Sequence, residues 1–206
     1  MSLSTLRIAG VIPAAGQSGR MGCDKRRLPF GKSTLLEMTV SNLARAGCSP
    51  VVVVLEPASP CAALELLRQP QVSVVNLVHP SPSMRASICA GLRSLPDEVD
   101  AAAVMPADCP LVRTHIISLI LEQYTRLRPP LFVPTFKGQQ GHPRIIAKEV
   151  FQDICAMPEQ DRFSSIFSRR SQETIWFETG DPAIVVDCDT PPDYAALLNE
   201  WQKVTT

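Results

Sequence analysis

Short apolar runs alternate with amphipathic stretches along most of the chain. The runs are continuous rather than interrupted at every second position, which is typical of strands in a parallel sheet that is covered on both faces. We predict strands at residues 8–14, 51–55, 72–75, 101–105 and 131–134. The stretches between them predict helices at residues 35–46, 61–68, 84–95 and 114–127. This alternation predicts right-handed βαβ crossovers, and therefore an α/β fold.

The pattern becomes less regular toward the C-terminus. We expect an antiparallel strand at 143–147, a short helix at 163–170, strands at 174–177 and 184–187, and a last helix at 193–203. Two prolines precede that helix, and proline is tolerated in a first helical turn. Since no repeat and no long linker divides the chain, residues 1–206 are expected to form one domain, with residues 1–6 as a flexible tail.

Charge and composition limit the possible partners. Lys plus Arg and Asp plus Glu both number 20, so the chain lacks the basic excess that favours nucleic acid. No apolar run approaches the roughly 18 residues that span a bilayer, and the first residues do not resemble a signal peptide. We therefore expect a cytoplasmic protein with neither a nucleic-acid nor a membrane partner. The seven cysteines include no C-x-x-C pair, which argues against a zinc site and a disulfide framework.

A glycine-rich segment after the first strand is the most informative part of the sequence. Glycines at 16, 19 and 22 allow backbone amides to approach an anion, and Arg20 and Lys25 add full positive charges. The spacing fits neither the G-x-G-x-x-G dinucleotide motif nor the P-loop, which disfavours a Rossmann dehydrogenase. The segment predicts a triphosphate site, although a flexible turn with two solvated cations would have the same composition.

Aspartates follow two of the predicted strands. Asp108 comes just after the fourth strand, and in open α/β sheets this edge carries the ligand. Asp187 and Asp189 form a second acidic corner before the last helix. Magnesium prefers one or two protein carboxylates together with phosphate and water oxygens. Two aspartates from separate strand ends meet that need, although each alone could also be a turn or capping residue.

These three segments resemble a known family. The glycine segment is similar to the signature L-A-A-G-x-S-x-R-M-G-x-x-K-x-L-x-P of the sugar-phosphate and molybdopterin nucleotidyltransferases, and the acidic corners are similar to its A-D-x-P-L and D-I-D-T-P-E-D segments. The resemblance implies a three-layer αβα Rossmann-like nucleotidyltransferase fold, with a mostly parallel sheet and an antiparallel C-terminal portion. It also implies Mg²⁺ as cofactor, held by Asp108 and Asp189. Arg20, Lys25 and Asp108 would be catalytic, and Asp187 and Asp193 structural.

Further segments extend the resemblance to nearly the whole chain. Asn76 and the segment 82–92 are similar to the family's N-x(n)-G-M-x-S-S-L-x-x-G-L, whose serines lie near the nucleotide. The nucleotide-binding residues that the resemblance implies are Ala14, Ala15, Gly16, Gln17, Ser18, Gly19, Arg20, Met21, Gly22, Lys25, Asn76 and Ser87. Gly141-His142-Pro143 is similar to the G-H-P segment of the molybdenum-cofactor cytidylyltransferases, which implies that His142 contacts the acceptor. From the local sequence alone, His142 could also be an exposed turn residue.

The resemblance implies an enzyme that transfers CMP from CTP to molybdopterin or molybdenum cofactor and releases pyrophosphate. The Ala-Ala-Gly start favours the cytidylyl branch over the guanylyl branch. Two alternatives remain: transfer to another phosphorylated acceptor, such as a sugar or alcohol phosphate, or a non-catalytic cofactor carrier that serves a molybdenum hydroxylase. Arg26, Arg27 and Arg85 depart from the family pattern and leave the acceptor open.

Overall fold

The structure is a computed structural model that describes residues 6–16, 19–57, 69–80 and 83–205. Its strands are β1 (Ile8–Pro13), β2 (Pro29–Phe30), β3 (Ser33–Thr34), β4 (Val51–Leu55), β5 (Val72–Asn76), β6 (Ala101–Val104), β7 (Leu131–Phe136), β8 (Gln139–Gln140), β9 (Arg144–Ala147) and β10 (Thr174–Glu178). Its α-helices are α1 (Leu35–Arg45), α2 (Met84–Arg93), α3 (Thr114–Leu127), α4 (Phe151–Ala156), α5 (Ser165–Arg169) and α6 (Pro191–Thr205). Short 3₁₀ helices cover Lys25–Arg27, Lys148–Val150, Ser171–Glu173 and Pro182–Val185.

Eight of these strands form one sheet in the order β10-β7-β9-β6-β1-β4-β5, with β8 paired to β7. Strands β4, β1 and β6 run parallel to one another, and β5 continues this arrangement beyond β4. Strand β9 is antiparallel to both of its neighbours, β6 and β7. The predicted mostly parallel sheet with an antiparallel C-terminal portion is therefore confirmed.

Helices cover both faces of this sheet. In β6, Ala101 and Ala103 pack on the face that buries α1 and α3, whereas Ala102 and Val104 pack on the face that buries α2, α4 and α5. Successive residues of a strand point to opposite faces. Because both faces are buried, the strands carry apolar residues at consecutive positions, and three layers result.

Local signals fix where the helices begin and how closely they pack. Thr34 caps α1 in a capping box with Glu37, and the Ser83 hydroxyl caps α2 by accepting from the Ala86 amide at 3.2 Å. Helix α2 lies so close to the sheet at Gly91 that a Cβ there would be 2.6 Å from Val11 Cγ1. This contact brings the start of α2 to the carboxyl edge of β1 and β6.

A smaller apolar cluster holds the last helix against the segment that follows the glycine loop. Leu197 of α6 is buried with Phe30 and Leu35, and the Trp201 ring lies 4.7 Å from the Phe30 ring, centroid to centroid. The packing places the acidic corner that precedes α6 beside the residues that follow the glycine segment.

One element was predicted wrongly, and others were missed. Residues 184–187 were expected as a strand, but Pro182–Val185 is a 3₁₀ helix because Asp181 caps it by accepting from the Ala183 amide at 2.8 Å. The helix expected at 163–170 covers only Ser165–Arg169, and α4 and the short strands β2, β3 and β8 were not predicted. The helix expected at 61–68 lies outside the described residues.

Among the described residues, no helix has the length and apolar character needed to cross a membrane.

Candidate active site

A cleft of about 540 Å³ opens at the carboxyl ends of β1 and β6. The glycine segment forms one wall, the start of α2 forms another, and the loop after β6 forms the floor. The residues that line it are Pro13, Ala14, Ala15, Gly16, Lys25, Arg26, Pro80, Ser83, Met84, Ser87, Pro106, Ala107 and Asp108. It lies at the strand-end position where open α/β sheets bind their ligands.

Lys25 joins the two acidic corners predicted from the sequence. Its Nζ donates to Asp108 Oδ2, and it donates to Asp189 Oδ1 at 3.0 Å. The other oxygen of Asp189 accepts from Arg20 at 2.7 Å. The Asp108 side chain is only 8% exposed, so its contact with Lys25 is shielded from water, whereas Arg20 is an exposed partner. The three predicted catalytic residues and both predicted metal ligands thus lie in one cluster.

The electrostatics of this cluster favour cations. Burial disfavours the charged form of Lys25, but the carboxylates of Asp108 and Asp189 outweigh burial, so its pKa lies above the ordinary value. Burial, and then the charges of Asp108 and Asp189, raise the pKa of Asp187. Asp187 is therefore near enough to Asp108 and Asp189 for their charges to act on it, and the structural role implied for it stays a prediction.

Asp193, and not Asp189, accepts the hydrogen bonds at the start of α6. Its Oδ2 accepts from the Thr190 amide at 2.8 Å and from the Thr190 hydroxyl at 2.7 Å, in the turn that starts α6. Asp193 therefore satisfies the helix start, which is the structural role expected of it. Asp189 is left to face Lys25 and Arg20.

Arg26, one of the departures from the family pattern, secures the wall of the cleft. One of its terminal nitrogens donates to the Ala14 carbonyl at 2.6 Å, while Nε and the other nitrogen donate to the Asp24 carboxylate at 2.6 and 2.9 Å. Its side chain is 10% exposed. This clamp ties the 3₁₀ turn that carries Lys25 to the end of β1. Arg27, its neighbour, is exposed.

Arg85 also departs from the family pattern. It lies in α2, and its side chain bonds to backbone carbonyls of neighbouring segments. Its guanidinium donates to the carbonyls of Ile154, Pro158 and Asp161 at 3.0–3.3 Å. These bonds join α2 to α4 and the loop beyond it. Arg85 is therefore satisfied by backbone and is not among the residues that line the cleft.

The other nucleotide-binding predictions fall into three groups. Ala14, Ala15, Gly16 and Ser87 line the cleft. Gly19, Met21, Gly22 and Asn76 are not among the lining residues, and Gln17 and Ser18 lie outside the described residues. The sequence analysis missed Arg26, Ser83 and Met84 as lining residues. Met84 begins the predicted helix that carries Ser87, and Ser83 directly precedes it, so both could have been found from the sequence.

His142 is not an exposed turn residue. Its Nδ1 is buried and has no hydrogen-bond partner among the described residues. Burial, and then the charge of Arg144, lower the pKa of His142 to about 3, against a small opposing effect of the Val104 carbonyl. The imidazole is therefore neutral near pH 7. It lies beside the end of β6 but is not among the residues that line the cleft, so its contact with the acceptor stays a prediction.

Comparison with known proteins connects this geometry to a family. The sequence profile of the MobA-like NTP transferase domain matches residues 10–175. A molybdenum cofactor cytidylyltransferase of Escherichia coli K12 is 20% identical over 194 residues, which cover 94% of this chain and 97% of that protein. A Mycobacterium tuberculosis H37Rv protein named "Probable molybdenum cofactor guanylyltransferase" is 34% identical over 117 residues, which cover 55% of this chain and 54% of that protein.

Solved structures share the fold. A nucleotidyl transferase from Methanothermobacter superposes with a TM-score of 0.82 at 18% identity, over 96% of this chain and 99% of that one. A Mycobacterium tuberculosis H37Rv protein, crystallised in complex with manganese, superposes with a TM-score of 0.72 at 20% identity, over 94% of this chain and 98% of that one. The fold is therefore the Rossmann-like fold of nucleotidyltransferases.

Proposed function

Since this chain belongs to the family of MobA-like NTP transferase domains and is a nucleotidyltransferase, we propose that it transfers CMP from CTP to the phosphate of molybdopterin or molybdenum cofactor. The relative that aligns over nearly its whole length is a molybdenum cofactor cytidylyltransferase. The relative named as a guanylyltransferase aligns over about half of its length. The Ala14-Ala15-Gly16 start of the glycine segment supports the cytidylyl branch.

The observation that carries this proposal is the position of Lys25. Its ammonium group contacts both Asp108 and Asp189, which come from different strand ends, and it lines the cleft together with Asp108. Two acidic corners, a cation and the glycine segment therefore meet at one edge of the sheet. This is the combination that binding and transfer of a charged phosphoryl group requires.

A divalent cation fits this corner. Asp108, Asp187 and Asp189 place three carboxylates against two cations, Lys25 and Arg20, so the cluster has an excess of negative charge. Across the described ranges, no three His, Cys, Asp or Glu side chains form a ready metal cage. Two carboxylates with substrate phosphates and water match the way Mg²⁺ is bound in phosphoryl-transfer sites. Asp108 and Asp189 would hold Mg²⁺, and the manganese complex of a structural neighbour supports a divalent ion.

The bound ion would neutralise charge on the nucleotide phosphates. Lys25 and Arg20 lie on the β1 side of the cluster, where they can hold the β- and γ-phosphates. An acceptor phosphate oxygen attacks the α-phosphorus, the bond from that phosphorus to the β-phosphate oxygen breaks, and pyrophosphate leaves with the electron pair. The nucleophile is already an anion at neutral pH, so no general base is needed and positioning supplies most of the catalysis.

Pyrophosphate release tests the proposal. The purified chain is assayed with Mg²⁺ and molybdenum cofactor, together with CTP, GTP, ATP or UTP. We expect release with CTP that is lost in Asp108→Asn, because this change removes a carboxylate charge from the cluster. Asp97→Asn is the matched control, since Asp97 is fully exposed in a remote ion pair with Lys148, and it should retain full activity.

Other outcomes separate the alternatives. Release with GTP alone would assign the guanylyl branch. Release that requires a sugar or alcohol phosphate would change the acceptor class. Nucleotide binding without release for any acceptor would support a carrier that serves a molybdenum hydroxylase and would contradict the proposed activity.

A further inference from the structure

Arg144 lies at the sheet edge that carries the cleft, although it is not among the residues that line the cleft. It is the first residue of β9 and pairs with Val104, the last residue of β6. The chain continues from Val104 into Pro106, Ala107 and Asp108, which line the cleft. Since Ile146, two residues later, packs in the cluster with α2 and α5, Arg144 points to the same face as Ser87 and the start of α2.

The contacts of Arg144 leave most of its hydrogen-bonding capacity unused. Its guanidinium carbon lies 5.4 Å from the Phe167 ring centroid and 6.0 Å from that of Phe163. Nε donates one long bond, 3.4 Å, to the Gly141 carbonyl. Within the part of the chain that the structure describes, its two terminal nitrogens make no hydrogen bond, and no carboxylate forms an ion pair with it. They are also absent from the buried polar atoms that lack a partner, so they face accessible space.

This environment is incomplete without an anion. Burial lowers the pKa of Arg144, yet a guanidinium remains charged in proteins. Aromatic rings attract the cation through their faces but accept no in-plane hydrogen bond. The rings therefore hold the guanidinium in place while its terminal donors remain free. A planar fork with free donors is suited to two oxygens of a phosphate or carboxylate.

The sheet order indicates which anion this is. Strand β6 lies between β1 and β9. The glycine segment with Lys25 follows β1, Asp108 follows β6, and Arg144 begins β9 on the opposite side from Lys25. In-line transfer places the attacking and leaving groups on opposite sides of the α-phosphorus. If the leaving pyrophosphate is held on the β1 side, the attacking group approaches from the β9 side.

We propose that Arg144, held on Phe163 and Phe167, binds the phosphomonoester of the acceptor and so selects acceptors that carry a phosphate. The identity of this ligand rests on the nucleotidyl transfer proposed above, but the anion site itself does not. Arg144 is a binding residue for the attacking group.

The first experiment measures binding of inorganic phosphate to the full chain by isothermal titration calorimetry, with and without CTP to occupy the glycine loop. Arg144→Gln should weaken the CTP-insensitive phosphate site by roughly 10- to 100-fold, the range for loss of a charged hydrogen-bonded pair. Arg144→Lys should recover part of the affinity, because it keeps the charge without the fork. Arg126→Gln, an exposed α3 variant, should bind like the wild type. Equal phosphate affinity in folded Arg144→Gln and wild type would overturn the inference.

The second experiment identifies the ligand by steady-state pyrophosphate release. Arg144→Gln should raise KM for the acceptor by roughly 10- to 100-fold while KM for CTP changes less than twofold. A rise in KM for CTP instead would assign the site to the nucleotide and overturn the acceptor assignment. A wild-type chain that releases no pyrophosphate with any acceptor would contradict the proposed function, whereas the calorimetry would still decide whether Arg144 binds an anion.

Discussion

The two ends of the candidate site treat positive charge in opposite ways. Beside β1, Lys25 and Arg20 are matched by carboxylates: Lys25 contacts Asp108 and Asp189, and Arg20 contacts Asp189. Beside β9, Arg144 faces two aromatic rings and one carbonyl, and no carboxylate of the described residues forms an ion pair with it. The positive charges at the β1 end are therefore paired with carboxylates of the chain before any ligand binds. The β9 end lacks the negative charge that a ligand would bring.

The direction of the strands accounts for this difference. The parallel strands β1 and β6 end at the ligand edge, and their following loops carry the glycine segment and Asp108. Strand β9 is antiparallel to β6 and begins at the same edge. At this edge, the loops that follow the parallel strands supply backbone amides and acidic side chains. The antiparallel strand β9 supplies Arg144, whose position is fixed by sheet pairing and packing.

The strongest test of the β1 end is Lys25→Met. We expect kcat for pyrophosphate release to fall by about 10²- to 10³-fold, because Lys25 lines the cleft beside Asp108 and the change removes a preorganised charge that would face the departing phosphates. Lys32→Met, at an exposed position in the loop between β2 and β3, should stay within twofold of the wild type. If Lys25→Met retained more than a tenth of the wild-type kcat, Lys25 would be a structural partner of the carboxylates only.

A smaller effect is expected from Arg26→Gln. This change removes the bonds from Arg26 to Ala14 and Asp24 and should loosen the turn that carries Lys25. We expect kcat/KM for the nucleotide to fall by roughly 10-fold, within the range for loss of a charged hydrogen bond, with KM carrying most of the change. Arg27→Gln removes the same charge from the exposed neighbouring position and should change kcat/KM less than twofold. Equal effects of the two substitutions would show that charge, and not positioning, is the role of Arg26.

Gly141, three residues before Arg144, packs against Ile184 in the 3₁₀ helix that precedes Asp187 and Asp189. Gly141→Ala tests this contact between the β9 end and the β1 end. A Cβ at Gly141 would lie 2.6 Å from Ile184 Cδ1 and 2.8 Å from the Ile184 carbonyl oxygen, and the next residue donates its amide to that carbonyl at 2.9 Å. Overpacking should lower the free energy of unfolding by about 1–3 kcal/mol, measured by urea denaturation. Gly19→Ala has open space around its Cβ and should change stability by less than about 0.5 kcal/mol.

Much of the β1 end could be predicted from the sequence because each of its signals is local. An apolar strand, the glycines that follow it and an aspartate just after a strand end are contiguous in the chain, and the rule for ligand sites at strand ends joins them. The error at residues 184–187 had a local cause too. The apolar run of Ile184, Val185 and Val186 suggested a strand, but Asp181 and Pro182 together are a helix-start signal, and that signal determined the structure.

The β9 end could not be predicted in the same way. That Arg144 lacks a carboxylate partner depends on every residue around it, and its aromatic contacts come from 19 to 23 residues along the chain, at Phe163 and Phe167. Asp187 could not be placed near Asp108 from the sequence for the same reason. Its proximity to Asp108 arises because α6 packs against the segment after the glycine loop, a contact between distant parts of the sequence.

The smallest expected effect concerns His142, which lies next to Arg144 and decides whether the β9 end carries one positive charge or two. The pKa of His142 in the folded chain is about 3, against 6.5 for an ordinary histidine. As pH falls below 6.5, the unfolded chain therefore binds a proton that the folded chain does not, and the free energy of unfolding decreases. From pH 6.5 to 5.5 this loss is about 1 kcal/mol for one such histidine.

His142→Gln should remove that part of the acid sensitivity. Urea denaturation at pH 7.5, 6.5 and 5.5 would then give a smaller decline in stability for the variant than for the wild type. His79→Gln is the matched control because His79 is exposed, and its decline should follow the wild type. Identical declines for His142→Gln and the wild type would mean that His142 titrates like an exposed histidine. The β9 end would then gain a second positive charge in mild acid, and acceptor binding there would strengthen below pH 6.5 instead of depending on Arg144 alone.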